Sequence, residues 1–450
     1  MDKMDVKRQM MKLWKDTFHD SDEYISMIFD SYYNEDLVEY EVENGRVISA
    51  LLAIPYKFSL SEKYVDNVNN YLDSRNHFMH GLYLCGLATD IQSRGRGIMS
   101  KLINNINKKG YKYGYDFTFL IPASKSLQTY YRDKNYVSCF KRIPNRYVKH
   151  YNFKKLLSKD GVFNDKYKNV AIIDIDLKEQ FENLVKEKLG NADGFFNNFK
   201  SLINVTNDVN IMHDDLMIIN IINDAIISSG KVILAIDKSE NLIGFTSIVL
   251  DENSECIVPH VYSKSDYIKY QILDYISNIY PDKEIVEYEF VDECKRIGVW
   301  SPGFTAYSEK IVSAPAEYGS EEEYSVNNHP EIYGMARILN ASEILKFAAK
   351  VSVGSKFSIL VKDENPDYKR VYVSKNGDLK ILKVLKMDDS NIQVEDEETG
   401  EEHLMRRDKI LELSTTELGE ILWRNPETPD YAGVAFDLPR LSFNMAYMLD

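Results

Sequence analysis

Residues 82–102 read LYLCGLATDIQSRGRGIMSKL: an apolar, strand-like run that breaks into Gln92-Ser93-Arg94-Gly95-Arg96-Gly97 and re-forms as a helix. Strand, glycine-rich turn and helix N-terminus in that order form one of the few arrangements in which a chain presents several free backbone N–H groups to a phosphate. The first four N–H groups of a helix have no partner within it, and the macrodipole adds roughly half a positive charge at that end. Such ends bind anions. Gly95 and Gly97 permit positive φ and close backbone approach, while Arg94 and Arg96 place cationic side chains beside the same turn.

The spacing is not GxGxxG, and no Lys-Ser/Thr follows a GxxxxG, so neither a dinucleotide fold nor a P-loop is supported. What remains, Gln92-x-x-Gly95-x-Gly97, resembles motif A of the GNAT N-acetyltransferases, a turn that holds the pyrophosphate of acetyl-CoA. The resemblance implies that the pyrophosphate rests on the N–H groups of Arg94, Gly95, Arg96, Gly97 and Ile98, with the thioester carbonyl near Leu87, Ala88 and Thr89. A second apolar run, 116–121, breaks at Pro122, where that family splays two parallel strands apart. Proline cannot donate to a ladder, which gives the break a physical cause. Tyr130 to Tyr136, YYRDKNY, then stands where the family reads Phe-Tyr-x-x-x-Gly-Phe. Tyr131 falls on the family's general acid toward the CoA thiolate, and Asn135 replaces a glycine, a mild departure because Asn tolerates the left-handed region.

At 450 residues the chain exceeds a single core and suggests two to four domains. Hydrophobic content of 44% with 28% charged residues belongs to a globular protein. No apolar run approaches the roughly 20 residues needed to cross a bilayer, and the N-terminus lacks the apolar core of a signal peptide, so a cytoplasmic protein with no membrane span is expected. The net charge of −15 argues against nucleic acid, whose backbone needs a basic surface; it suits either solubility or steering of a cationic ligand. Cys85, Cys139, Cys256 and Cys294 lack CxxC spacing and read as buried thiols. His77-Phe78-Met79-His80 and His213-Asp214-Asp215 lack a third ligand at a recognisable spacing, so no metal is expected; His80 precedes the turn closely enough for a role near an acceptor.

Residues 1–150 read as one α/β unit. Amphipathic helices over about 4–17 and 21–32 precede an alternating stretch, Val38 to Leu52, that turns at Asn44-Gly45, a strong hairpin signal. Residues 151–332 repeat the order: helices at 177–189 and 213–229, a hairpin over 231–250, a strand at 255–262 and a helix to about 279. No glycine lies where a phosphate turn should fall, so this part is expected to be a degenerate copy. Residues 317–325 form an acidic connector. Residues 333–450 change rhythm, with a helix at 341–352, strands at 356–362, 369–374, 378–385 and 390–396, a turn at Asn376-Gly377 and a capping box at Ser414-Thr415-Thr416-Glu417.

This order of parts resembles the enhanced intracellular survival (Eis) type of GNAT protein across essentially the whole chain. The implied fold class is α/β (α+β): two tandem GNAT folds, the second degenerate, and a C-terminal sterol-carrier-protein-like α+β domain. In that family the terminal carboxylate serves as general base, which puts Asp450 in that role here; the family usually ends in an aromatic residue, so Asp450 leaves two carboxylates to choose between. The apolar stretch before it, FNMAYML, suggests a docked end. The expected function is acetyl transfer from acetyl-CoA, as co-substrate, to a primary amine of an aminoglycoside-like or polyamine-like small molecule. The resemblance further implies a homo-oligomer, commonly a hexamer. A protein-lysine acceptor, and a non-catalytic CoA- or lipid-binding scaffold, are the alternatives.

Overall fold

In the computed structural model, residues 3–61, 78–158, 170–187, 192–203, 209–250, 255–290, 324–325, 331–351, 354, 356–364, 369–423 and 443–444 are described. The chain divides into two compact units: the residues up to Phe140 together with Ile332–Phe443, and Lys141–Glu331 together with Asn444–Asp450.

The first unit opens with helices α1 (Lys3–Phe18) and α2 (Asp22–Tyr32). Ser21 caps α2 by accepting the Tyr24 N–H at 3.1 Å. Strands β1 (Val38–Glu43) and β2 (Arg46–Leu60) form the expected hairpin, with Asn44 at φ 51° and Gly45 at φ 76°. Both central residues being left-handed matches the right-handed strand twist. Strand β3 (Phe78–Thr89) lies antiparallel to β2, and the chain crosses through α3 (Ile98–Lys112) to β4 (Phe117–Leu120), which runs parallel to β3. Helix α4 (Lys125–Arg132) follows, and β5 (Val137–Tyr147) carries the chain into the second unit.

Alternation along these strands decides what lies under α3. Leu51 and Ala53 of β2, Leu82 and Leu84 of β3 and Leu120 of β4 meet Leu102, Ile103 and Ile106 of α3 in one buried cluster, which also takes in Tyr131 and Tyr136.

The second unit repeats the pattern. Strand β6 (Ala171–Ile175) is followed by helices over Lys178–Glu187, Ala192–Ile203 and Asp215–Ile227, then by the hairpin β7 (Lys231–Ile236) and β8 (Leu242–Leu250). Strand β9 (Cys256–Val258) is antiparallel to β8, and helix α5 (Asp266–Ile279) crosses to β10 (Ile285–Phe290), parallel to β9. Hairpin, third strand, crossover helix and parallel fourth strand thus occur twice. The strand expected over 255–262 is shorter than that because Pro259 has no N–H to give; residues Tyr262–Ser263 pair instead with Phe245 and Gly244.

The chain then returns to the first unit. Strand β11 (Glu331–Ile338), absent from the sequence-based reading, lies antiparallel to β4 with Met335 opposite Leu120 and Ile338 opposite Phe117. Helix α6 (Ala341–Val351) leads to a six-stranded sheet of β12 (Phe357–Val361), β13 (Arg370–Lys375), β14 (Asp378–Met387), β15 (Asn391–Asp396), β16 (Glu402–Arg406) and β17 (Leu411–Leu413), in the order β16-β15-β14-β13-β12-β17. Its neighbours are antiparallel except β12 and β17. Asn376-Gly377 again turns with both φ positive, and Ser414 and Glu417 form the expected capping box on α7 (Thr415–Leu422).

Candidate active site

The turn 91–97 reaches α3 through Gly97, whose φ is +75° and which caps the helix without a side chain. Gly95 also takes a positive φ, +77°, and a Cβ at either glycine would meet no described atom within 4 Å. The first helical bond is Lys101 N–H to Gly97 C=O at 3.1 Å; the N–H groups from Arg94 through Ser100 find no acceptor among the described residues. Seven consecutive residues therefore carry donors without a partner among the described residues at this helix end, the arrangement that suits an anion.

The corresponding helix of the second unit is closed by its own side chains. Ser265 accepts the Ile268 N–H at 3.4 Å, and Asp266 puts a negative charge in the first turn of α5. An anion would there displace a cap and meet a carboxylate.

The strand pair next to the turn opens. Parallel pairing of β3 with β4 covers Gly81–Tyr83 and Phe117–Phe119, yet β3 continues to Thr89 while β4 ends at Leu120 before Pro122. Within the opened stretch, β3 carries a bulge. Ala88 faces Ala50 but Cys85 faces Leu52, so β3 has one residue more than β2, and Gly86 there has φ +58°. Side-chain phase changes accordingly: Leu82 and Leu84 point into the cluster under α3, and beyond the bulge Leu87 packs against that same cluster. An isolated glycine inside a strand-like run, Gly86, was the one sequence signal of this feature.

Of the residues expected around the thioester, Ala88 is buried and Leu87 and Thr89 are half-buried. Ser49 hydrogen-bonds both the Ala88 carbonyl (3.1 Å) and the Thr89 hydroxyl (2.8 Å). Arg94, Gly95, Arg96 and Gly97 are exposed, whereas Ile98 is half-buried and packs on the cluster that holds Tyr131. Arg94 Nε donates to the Thr89 carbonyl at 3.1 Å, and Arg96 is bound through both guanidinium nitrogens to Glu43. Sequence reasoning gave no hint of that carboxylate partner.

Tyr131 is 6% exposed. Helix α4 is capped by Ser124, which accepts the Leu127 N–H at 3.3 Å, and ends in a left-handed Asn135, φ +66°, that lets the Tyr136 N–H return to the Tyr131 carbonyl at 3.1 Å. Tyr136 in turn sits edge-on to Tyr131, with ring centroids 6.0 Å apart, and its hydroxyl meets Thr118 and Asn107. The neighbouring Tyr130 hydroxyl bonds Ser100 Oγ at 3.0 Å, which ties α4 to the first turn of α3. Thus Leu87, Ile98 and Tyr131 share one cluster, beside the donor turn. Burial, and then Tyr136 and Tyr130, hold the Tyr131 phenol well above the usual tyrosine range, so it stays protonated. Its hydroxyl takes no hydrogen bond from a described residue.

His80 lies on β3 opposite Lys57; burial, and then Lys57, push its imidazole below the usual range, with Glu343 opposing. Asp450, Cys294 and His77 lie outside the described residues. Among the described residues no group of three or more His, Cys, Asp or Glu is placed to hold a metal, and no helix is long and apolar enough to cross a membrane.

This is the fold of the GCN5-related N-acetyltransferases, in tandem. No protein-family model and no curated protein matches the sequence. Solved structures are similar in fold. Eis1 from Mycobacterium abscessus is similar over 100% of this chain and 99% of its own, with a TM-score of 0.59 at 8% identity. A GCN5-related N-acetyltransferase from Anabaena variabilis is similar over 98% and 97%, TM-score 0.58, at 10% identity. A conserved Enterococcus faecalis protein, described as a probable N-acyltransferase, covers 94% and 88% at TM-score 0.55 and 12% identity. Likeness at such identities fixes the fold of the chain and leaves its chemistry to the residues of the site.

Proposed function

We propose that this protein is an acetyl-CoA-dependent N-acetyltransferase acting on a primary amine of a cationic small molecule. The observation that carries the reading is the run of unpaired N–H groups, Arg94 through Ser100, at a glycine-capped helix end beside a parallel strand pair that opens after Tyr83. That donor set suits a diphosphate, and no described atom lies within 4 Å of where a Cβ would stand on Gly95 or Gly97.

When bound, acetyl-CoA supplies the acetyl group as a thioester. The N–H groups of Arg94 to Ile98 hold its pyrophosphate, and Leu87, Ala88 and Thr89 orient the thioester carbonyl. Tyr131 acts as general acid toward the departing thiolate, whose parent pKa of about 8.5 makes the proton demand modest. An amine of pKa about 10 must lose a proton before it can attack, and the Asp450 terminal carboxylate is the base we assign to it. Residues 1–150 form the catalytic part in this reading, 151–332 a GNAT-like part without a cofactor motif, and 333–450 a sterol-carrier-protein-like part that brings the terminal carboxylate; the assembly is a homo-oligomer, a hexamer by resemblance, in the cytoplasm. The net charge of −15 supports a cationic acceptor.

The experiment is a screen of acetyl-CoA consumption across aminoglycosides, polyamines and lysine peptides, run beside a thermal-shift assay. Acetyl-CoA, but not acetate, is expected to raise the melting temperature. No shift would sink the donor assignment; turnover confined to lysine peptides would move the acceptor to protein.

A further inference from the structure

We infer that Trp14, on a helix that contributes no residue to the donor turn, is a positioning residue for acyl transfer: its indole seats the Gly86 bulge and so sets where the backbone of Leu87 and Ala88 stands. The inference rests on the acetyl-transfer reading of the turn.

The contact is close and specific. A Cβ at Gly86 would stand well inside van der Waals contact distance of the Trp14 ring carbons Cζ3 and Cε3, so the indole lies flush on the Gly86 backbone, and only glycine fits both that approach and φ +58°. The indole is fixed from its own side. Trp14 is 6% exposed, its Nε1 donates to Asp20 Oδ2 at 2.6 Å, and it meets Phe18 and Phe29 edge-on, each with centroids 5.7 Å away. Phe29 belongs to α2 and is itself 1% exposed. Helices α1 and α2 thus hold a rigid anvil under one backbone unit of β3.

The bulge needs such support. An extra residue in one strand disrupts the ladder locally and leaves backbone groups without partners. Here β4 has already diverged, so pairing with β4 cannot restrain residues 84–89. On the far side Ser49 ties down the Ala88 carbonyl and the Thr89 hydroxyl. Pairing with β2 holds Leu84 and Cys85 on one side of the bulge and Ala88 and Thr89 on the other, and the Gly86 unit between them rests against Trp14. Without the bulge Leu87 would turn away from the Tyr131 cluster, because strand side chains alternate. In the acetyl-transfer reading the Leu87–Ala88 backbone orients the thioester carbonyl, and such positioning holds only to within about 0.5 Å, so a loosened bulge would cost rate and leave diphosphate binding, which depends on residues 94–98, intact.

Two variants test this, Trp14→Phe and Trp14→Leu, against the wild-type chain. Measured are kcat and KM for acetyl transfer, the CoA dissociation constant, and amide hydrogen exchange over residues 84–89 and 98–112. Expected is a graded fall in kcat, about threefold for Phe and at least about tenfold for Leu, with the CoA dissociation constant within about twofold and faster exchange confined to 84–89. Unchanged kcat would overturn the inference, and so would parallel losses of kcat and CoA affinity, which is what a merely destabilised fold gives. If the Leu variant does not fold, the Phe variant decides alone. If the wild-type protein acetylates nothing, the functional reading has failed, and equal exchange at 84–89 in wild type and variant would separately refute the seating of the bulge by Trp14.

Discussion

Arg96 and Glu43 are joined by two parallel hydrogen bonds, Nη1 to Oε2 at 3.0 Å and Nη2 to Oε1 at 2.9 Å, so the guanidinium beside the donor turn is engaged by β1. Lys101 with Glu41 and Lys109 with Glu39 continue the same ladder along α3. Releasing Arg96 would add a free cation next to the diphosphate. We expect Glu43→Gln to tighten CoA by about two- to threefold at low ionic strength, with the gain gone at high salt, because the pair is solvent-exposed. Titration calorimetry at two salt concentrations checks it, and weaker binding in the variant would contradict it.

Gly95 and Gly97 are open in space but left-handed in backbone. Alanine at either position should cost about 1–2 kcal/mol through the backbone alone. Because the turn would also relax toward negative φ, CoA affinity should fall more than stability does. Comparing denaturant midpoints with CoA dissociation constants separates the two.

Tyr131→Phe removes a hydroxyl that no described residue hydrogen-bonds, while the ring stays in its cluster. Stability should therefore change by less than about 1 kcal/mol. Turnover should drop by at least about tenfold with CoA affinity preserved. A fully active variant would remove Tyr131 as the acid.

Asp116 is 1% exposed and accepts the His80 N–H at 2.8 Å, while its own carbonyl takes the N–H groups of Leu339 and Asn340. Burial pushes its carboxyl up to about 7, against the His80 N–H, with Glu343 and Glu364 adding to the rise and Lys346 opposing it. A folded-state pKa above the unfolded one means the neutral form is favoured by folding. Its contribution is full below about pH 4 and is lost as pH rises through about 7. Glu364, also raised by burial first, has the same sign. Melting temperatures from pH 5 to 8 should fall in the wild type and fall less steeply in Asp116→Asn; parallel curves would refute the assignment.

Helix α5 is capped by Ser265 and carries Asp266 where α3 has a bare glycine cap. One CoA per chain is the expected stoichiometry, unchanged in Ser265→Ala, which should lose about 1 kcal/mol of stability. A second, equally tight CoA would show that the second unit keeps a donor site.

Local signals were read well where the responsible groups lie within a few residues. Asn44-Gly45 and Asn376-Gly377 turn because both residues accept positive φ, and Ser414 with Glu417 makes a capping box from neighbours three apart. Asn135 in a glycine's place is left-handed for the same reason. Pro259, which lacks an N–H, ends the strand at Val258, short of the apolar run that extends to residue 262. The turn at 92–97 was legible because glycine, arginine and a helix start are all local facts.

The sequence by itself thus determined the strand–turn–helix, the two hairpins with their α/β repeats and the bare glycine cap, since backbone strain and capping are settled by adjacent residues. Tertiary structure decided what depends on partners far along the chain: β11 beside β4, the Glu43 carboxylate on Arg96, the burial that keeps Tyr131 protonated, and the indole of Trp14 beneath Gly86. Desolvation and close packing act between residues that only folding brings together, and no spacing along the chain encodes them.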